Sequence, residues 1–289
     1  MSLIAVIFGL LSGFFFGLTS HVQKSALAGT EVAMGAFLSV ATMAGLLWLV
    51  APFLIDPAWI FTGAALIFAA CGLIFPAASQ PLQVASVVKV GPALTSGIGS
   101  FAPLFAVTLA VMFLGEDLNT QGVLGIALML AGLLLSALAP GAGIARGFPI
   151  WALLLPLGAS AARGVVQPLT KYGFAEVNSA YFATLVMATV STVILGIWLL
   201  SIRARRPLRT TRQGNQLFLV NGFVIGGGIL SLQISISYGA VSLAAPLSST
   251  TPLWTLLLGV LFFRNEKLTV RHLIMSLLVV AGVTLVVTR

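Results

Sequence analysis

Residues 17–24 read GLTSHVQK and residues 164–171 read GVVQPLTK. Each stretch is a glycine followed seven positions later by a lysine, and the two lie 147 residues apart. Further along, Leu82-Gln83 answers to Leu232-Gln233, Pro103-Leu104-Phe105 to Pro252-Leu253-Trp254, Glu116 to Glu266, and Ala131-Gly132 to Ala281-Gly282, at offsets of 149 to 150. A glycine–lysine pair alone is weak evidence. Five correspondences in one order imply a tandem duplication of residues 1–139 and 149–289. The connection over 140–148 is rich in glycine and begins with Pro140, as a boundary should.

The medium in which both copies fold follows from composition. Of 289 residues, 59% are hydrophobic and 7% charged, against about 25% charged in a soluble domain. That deficit excludes a water-soluble globule. Uncharged runs occupy Met1–Thr30 (broken only by Lys24), Val32–Ile55, Pro57–Val88, Val90–Gly115 and Leu118–Ala145. In the second half they occupy Gly147–Thr170 (interrupted by Arg163), Val177–Ile202, Gln213–Phe263 and Leu273–Thr288. The run over 213–263 would make a helix of about 76 Å, more than twice the hydrocarbon thickness, so a turn is expected near Tyr238-Gly239-Ala240. The total is ten. The predicted fold is an all-α membrane protein of ten transmembrane helices. Because each half holds an odd number of spans, the second copy enters with opposite orientation, giving two inverted five-helix repeats, a design used by transporters that rock about a midplane site. Residues 1–20 lack a basic start and a small-residue cleavage site and are read as a retained helix.

These motifs resemble the drug/metabolite transporter superfamily, in particular its ten-helix EamA-like members. The first-helix element, usually Trp-Gly with a lysine seven residues on, stands here as Phe16-Gly17 to Lys24 and Arg163-Gly164 to Lys171, both without the tryptophan. The fourth-helix ending, Pro-Leu-Phe followed by Leu-Gly-Glu, stands as Pro103-Leu104-Phe105 to Leu114-Gly115-Glu116. Its second copy is Pro252-Leu253-Trp254 to Arg264-Asn265-Glu266, with one extra residue and no glycine before the glutamate. The resemblance implies a solute carrier, often an exporter of amino acids or related metabolites, with a cavity lined by helices 1, 3, 4, 6, 8 and 9.

Arg163 is the most informative candidate for solute contact. It lies about 18 Å along its span, where an arginine costs roughly 2.5–3.5 kcal/mol on insertion scales and should face a cavity or partner. Arg163, Gln167 and Thr170 fall at i, i+4 and i+7 and form one polar stripe. The alternative is that Arg163 bonds neighbouring backbone carbonyls for structure alone. In the first helix the candidates are Ser20, His21, Gln23 and Lys24, with Thr19 sharing the face of Gln23. Lys24 and Lys171 can equally anchor at the interface, and a lone His21 can equally be structural or relay protons. Gln80 and Gln83 share a face of the third helix, flanked by Pro76 and Pro81, which loosen it. Ser231, Ser235 and Tyr238 share a face of the eighth helix, and Trp254 stands on the ninth. Hinge or gate candidates are Pro76, Pro81, Pro103, Pro252 and the run Gly226-Gly227-Gly228, which serves bending or close packing. Gly125 and Gly132 serve a dimer face or internal packing.

The acids Glu31, Asp56, Glu116, Asp117, Glu176 and Glu266 all fall at predicted helix ends, leaving no carboxylate in mid-membrane. Arg163, helped by Lys89 or His21, then favours a zwitterion or carboxylate over a cation. The same pattern argues against proton coupling through a buried acid and against enzymes that need paired acids to hold metal. No cofactor and no metal are expected, and Cys71 is read as a packing residue. The competing readings are an exporter of cationic or lipophilic drugs held by Phe14, Phe15, Phe16 and Trp254, and a receptor or assembly subunit.

The net charge of +8 sits in short connections and is explained by membrane orientation, not by nucleic acid. Lys24, Lys89, Arg146, the cluster Arg203, Arg205, Arg206, Arg209 and Arg212, and Arg264, Lys267 and Arg271 follow odd-numbered helices. The positive-inside rule therefore places the loop 201–213 in the cytoplasm and both termini outside a cytoplasmic (inner) membrane. The expected partners are a small-molecule solute and membrane lipids, including anionic lipid at those arginines, with the chain a monomer or homodimer.

Overall fold

The computed structural model describes residues 2–90, 95, 98–99, 101–137, 147–262 and 270–288. Among these residues every regular element is helical: α1 (Leu3–Ala26), α2 (Val32–Leu54), α3 (Gly63–Gly72), α4 (Ser79–Val90), α5 (Ala102–Leu114), α6 (Thr120–Ala137), α7 (Leu154–Gly173), α8 (Ala180–Arg203), α9 (Arg212–Tyr238), α10 (Val241–Ser248), α11 (Thr251–Leu261) and α12 (Val270–Val287). Seven stretches are long and apolar enough to cross a membrane, and three shorter apolar helices, Ala102–Leu114, Thr120–Gly132 and Ile274–Val287, occupy the places of the remaining expected spans. Most of the connection 140–148 lies outside the described residues, as do Arg146, Arg264, Asn265, Glu266 and Lys267.

The exterior is apolar, with Phe61 90% and Phe53 85% exposed, while Ser12, Gln167, Asn221 and Gln233 are buried. That inversion of the soluble pattern suits lipid as solvent. Helix association in lipid rests on close packing at small residues, and the chain follows that rule. Gly125 approaches the Gly282 carbonyl and Gly132 the Met275 carbonyl, so both glycines serve the α6–α12 contact inside the molecule.

Two expected spans are broken. The third is interrupted at Phe75, whose backbone is extended (φ −140°, ψ 125°) and precedes a cis bond to Pro76. Pro76 has no N–H to offer a helical ladder. Pro81 sits in the first turn of α4, where a missing N–H costs little. The ninth span divides between α10 and α11, where Ser248, Thr250 and Thr251 hydroxyls donate to the carbonyls of Ala245, Leu247 and Ser248. Pro103 and Pro252 each stand at the start of a helix, α5 and α11. The expected turn at 238–240 is present between α9 and α10. The triple glycine does not interrupt α9, which runs unbroken from Arg212 to Tyr238. It admits Met43, Phe15 and Phe16 against the backbone of 226–228.

Helix pairing respects the repeat. α1 packs along α9 as α7 packs along α3 and α4; α1 meets α11 as α7 meets α5; α2 meets its own counterpart α8, and α6 its own counterpart α12. The ends are also fixed. The C-terminal Lys171 of α7 reaches the carbonyls of Ile236 and Gly239 at the end of α9. The N-terminal Ala5 of α1 meets that same end through Ser235.

Candidate functional site

The two motif glycines do the same physical work in both halves. A Cβ on Gly17 would lie 2.8 Å from the Trp254 Cβ, and one on Gly164 would lie 2.5 Å from the Phe105 Cβ. Trp254 and Phe105 are themselves repeat equivalents. The first helix of each half therefore touches the fourth helix of the other, at a distance only glycine permits. The motif lysine Lys171 donates to the Ile236 and Gly239 carbonyls, both at 2.9 Å, where the negative end of the α9 dipole favours a cation. Lys24 is exposed.

The Leu-Gly-Glu ending is explained by geometry as well. Gly115 adopts the left-handed conformation (φ 65°, ψ 29°) at the end of α5, which carries a steric penalty for other residues. The turn presents Glu116, whose carboxylate accepts from the Val241 and Ser242 N–H groups at 2.7 and 2.8 Å, capping α10. Glu176 likewise accepts from the Gly63 and Ala64 N–H groups at the start of α3. These acids at helix ends satisfy N–H groups that have no intrahelical partner.

Arg163 faces the break in the third span. Its Nη2 donates to Gln83 Oε1 at 2.6 Å, and its guanidinium carbon lies 6.0 Å from the centroid of Phe75, the residue where that span is interrupted. Its Nε is buried without a hydrogen-bond partner. Among the described residues the ion pair is Arg206–Glu31, so the charge of Arg163 is met by a neutral amide. Gln167 is buried, its amide N–H 3.5 Å from the Arg163 carbonyl and its own carbonyl oxygen unpartnered. Thr170 is buried and bonds back to the Val166 carbonyl. The expected polar stripe thus divides: Arg163 meets α4, while Thr170 turns its hydroxyl to its own helix.

The other candidates are distributed. Gln23 and Gln80 come together with Ser39, Leu27, Val32 and Phe218 around a narrow crevice. Its free volume is about 10 Å³, room for about one water. Gln80 is one turn from Gln83 on α4. His21 Nε2 pairs with the Thr255 carbonyl at 2.8 Å, tying α1 to α11. Ser20 bonds back to the Phe16 carbonyl. Ser235 donates to the Ala5 carbonyl at 2.7 Å, Ser231 is buried, and Tyr238 is exposed. Trp254 packs edge-on to Phe14 with its Nε1 buried and unpartnered.

Three interior polar residues escaped the sequence reading of the site. Asn221 donates to Ser39 Oγ at 2.9 Å and leaves its Oδ1 unpartnered. Gln233 donates to Met187 Sδ at 3.4 Å and leaves its Oε1 unpartnered. Ser12 Oγ is likewise buried without a partner. The available signal was a polar side chain in mid-span, applied to Arg163 but not to Asn221. Buried polar groups are nearly always bonded, so each of these unpartnered atoms marks a polar point in the interior of an apolar bundle.

No match is found among curated proteins. A solved crystal structure of a protein matches at TM-score 0.75 and 18% identity, covering 97% of this chain and 95% of its own. That likeness establishes the fold. The EamA-like transporter family matches twice, over residues 3–138 and again over residues 150–288, the two halves marked by the motif glycines. The chain belongs to the EamA-like transporter family, a family of membrane transporters.

Proposed function

We propose that the protein is a secondary transporter that moves an amino-acid-like zwitterion or carboxylate across the cytoplasmic membrane by alternating access, with export the direction implied by the family resemblance. The observation that carries the substrate class is Arg163: an arginine deep in a span, held by neutral Gln83 beside a helix break, with one N–H unpartnered. An anionic group completes its hydrogen bonding at low cost. Two inverted five-helix repeats supply the rocking geometry. The reciprocal helix pairing supports that arrangement, as does the meeting of the C-terminal end of α7 and the N-terminal end of α1 at one end of α9. The basic loop 201–213 lies in the cytoplasm on this reading.

The test is counterflow in proteoliposomes with a panel of cations, zwitterions and carboxylates, comparing wild type with Arg163→Gln and Arg163→Lys. A charge-assisted hydrogen bond contributes about 1.5–3 kcal/mol, so Arg163→Gln should lower apparent affinity for zwitterions or carboxylates by about 10–150-fold, with partial recovery in Arg163→Lys. Unchanged transport of these solutes in Arg163→Gln refutes charge recognition. Flux confined to cations transfers the site to the aromatic cluster around Trp254.

A further inference from the structure

Residues 201–213 carry five arginines, Arg203, Arg205, Arg206, Arg209 and Arg212, and no acid. All five are exposed. Among the described residues, one carboxylate from elsewhere pairs with them. Glu31 accepts both Nη groups of Arg206 at 2.9 and 2.6 Å and the Arg209 backbone N–H at 2.9 Å. Arg209 also donates to the Ala28 carbonyl at 2.6 Å, and the Glu31 N–H donates to the Arg209 carbonyl. The Arg206 guanidinium and the Arg209 N–H hold the Glu31 carboxyl down at about 2. The segment 28–31 is thereby stitched to 206–209.

The residues that flank this segment, Leu27 and Val32, line the crevice together with Gln23 and Phe218, so 27–32 runs along its edge. The stitching residue is accessible: the Arg206 side chain is 56% exposed. Just below the cluster, Ile197 and Leu200 on α8 and Leu219 and Val220 on α9 are exposed apolar residues, which sets the arginines at the level where hydrocarbon gives way to headgroups.

We propose that this arginine cluster docks the phosphate headgroups of anionic phospholipid, and that a headgroup on Arg206 displaces Glu31 and frees the 27–32 rim of the crevice. A phosphodiester presents the guanidinium fork with the same paired oxygens as a carboxylate. Five positive charges attract it where Glu31 supplies a single negative one. The apolar residues beside the cluster select a lipid over a soluble polyanion.

The experiment places a reporter, Leu27→Cys, on the rim; Cys71 is buried, and the parent chain measures its background. Labelling by a membrane-impermeant maleimide is followed in nanodiscs of phosphatidylcholine alone or with phosphatidylglycerol. Lys and Arg near an anionic surface each contribute enough to change occupancy by about five-fold, so phosphatidylglycerol should speed labelling by at least about that factor. Glu31→Gln should label fast in both lipids. The triple variant R203Q/R205Q/R212Q, altered only at exposed positions outside the stitch, should lose the lipid response and should retain less phosphatidylglycerol in native mass spectrometry. Equal labelling in both lipids, or a triple variant that responds like wild type, overturns the proposal. So does inorganic phosphate reproducing the effect in pure phosphatidylcholine, since the ligand would then be a soluble anion. None of these readouts depends on the solute carried.

Discussion

Gly164→Ala adds one methyl group where α7 crosses α5. The new Cβ would stand 2.5 Å from the Phe105 Cβ, 2.7 Å from the Ala102 carbonyl oxygen and 3.1 Å from the Ala106 nitrogen. Ordinary contact begins near 3.4 Å, so the helices must part by up to about 0.9 Å, and two of the three obstacles are backbone that no rotamer change removes. Overpacking of this kind costs about 1–3 kcal/mol. Alanine recovers about 1 kcal/mol through helix propensity, so a net loss of up to about 2 kcal/mol is expected. At about 2–4 °C per kcal/mol for chains somewhat shorter than this one, the apparent melting temperature should fall by up to several degrees in a fixed detergent or nanodisc. Gly45→Ala is the matched control. It also lies inside a helix, α2, but its Cβ meets nothing within 4 Å, and it should be neutral or stabilising. Melting of both variants at the same temperature, or Gly45→Ala as the less stable, would sink the argument that the motif glycine serves close approach.

Lys171→Met removes the cation from the Ile236 and Gly239 carbonyls while keeping the length of the side chain. It should lower melting temperature and slow counterflow together, whereas Lys24→Met, at an exposed lysine, should leave melting unchanged. The Glu31–Arg206 pair has a defined pH window. The folded carboxyl lies lowered to about 2 from an ordinary 4.5, so its contribution is full above about pH 4.5 and is lost as pH falls toward 2. Because the pair is exposed, solvent screening keeps that contribution small. The melting difference between wild type and Glu31→Gln should therefore shrink on acidification from pH 6 to pH 3; a difference that grows would contradict the assignment.

Much of the fold is legible from charge spacing. The uncharged runs locate the helices because lipid forces each span to satisfy its own backbone, and the turn at 238–240 follows from the impossible length of the run over 213–263. The breaks were less legible. Pro76 and Pro81 look alike in sequence, yet one stands at an interruption and the other in a helical first turn, and register alone separates them. The site divided in the same way. Arg163 declared itself by the cost of a buried charge. Whether Thr170 faces a pathway or its own Val166 carbonyl is decided by a rotamer, and whether Gln80 or Ser20 reaches a cavity is decided by which helices pack beside it. Neither is written in periodicity. Lys171, read as an anchor or a solute contact, instead holds the end of α9, a partner 65 residues away.

The pairing of α2 with α8 and of α6 with α12 sets repeat equivalents directly against each other. Contacts between equivalent elements are like the isologous contacts of a two-fold dimer, although here both elements belong to one polypeptide. Joining both halves in one chain contributes effective concentration to their contact. It turns a meeting of two molecules into an intramolecular one. A substitution in α2 must therefore suit α8, and one in α6 must suit α12, because each is the other's packing surface.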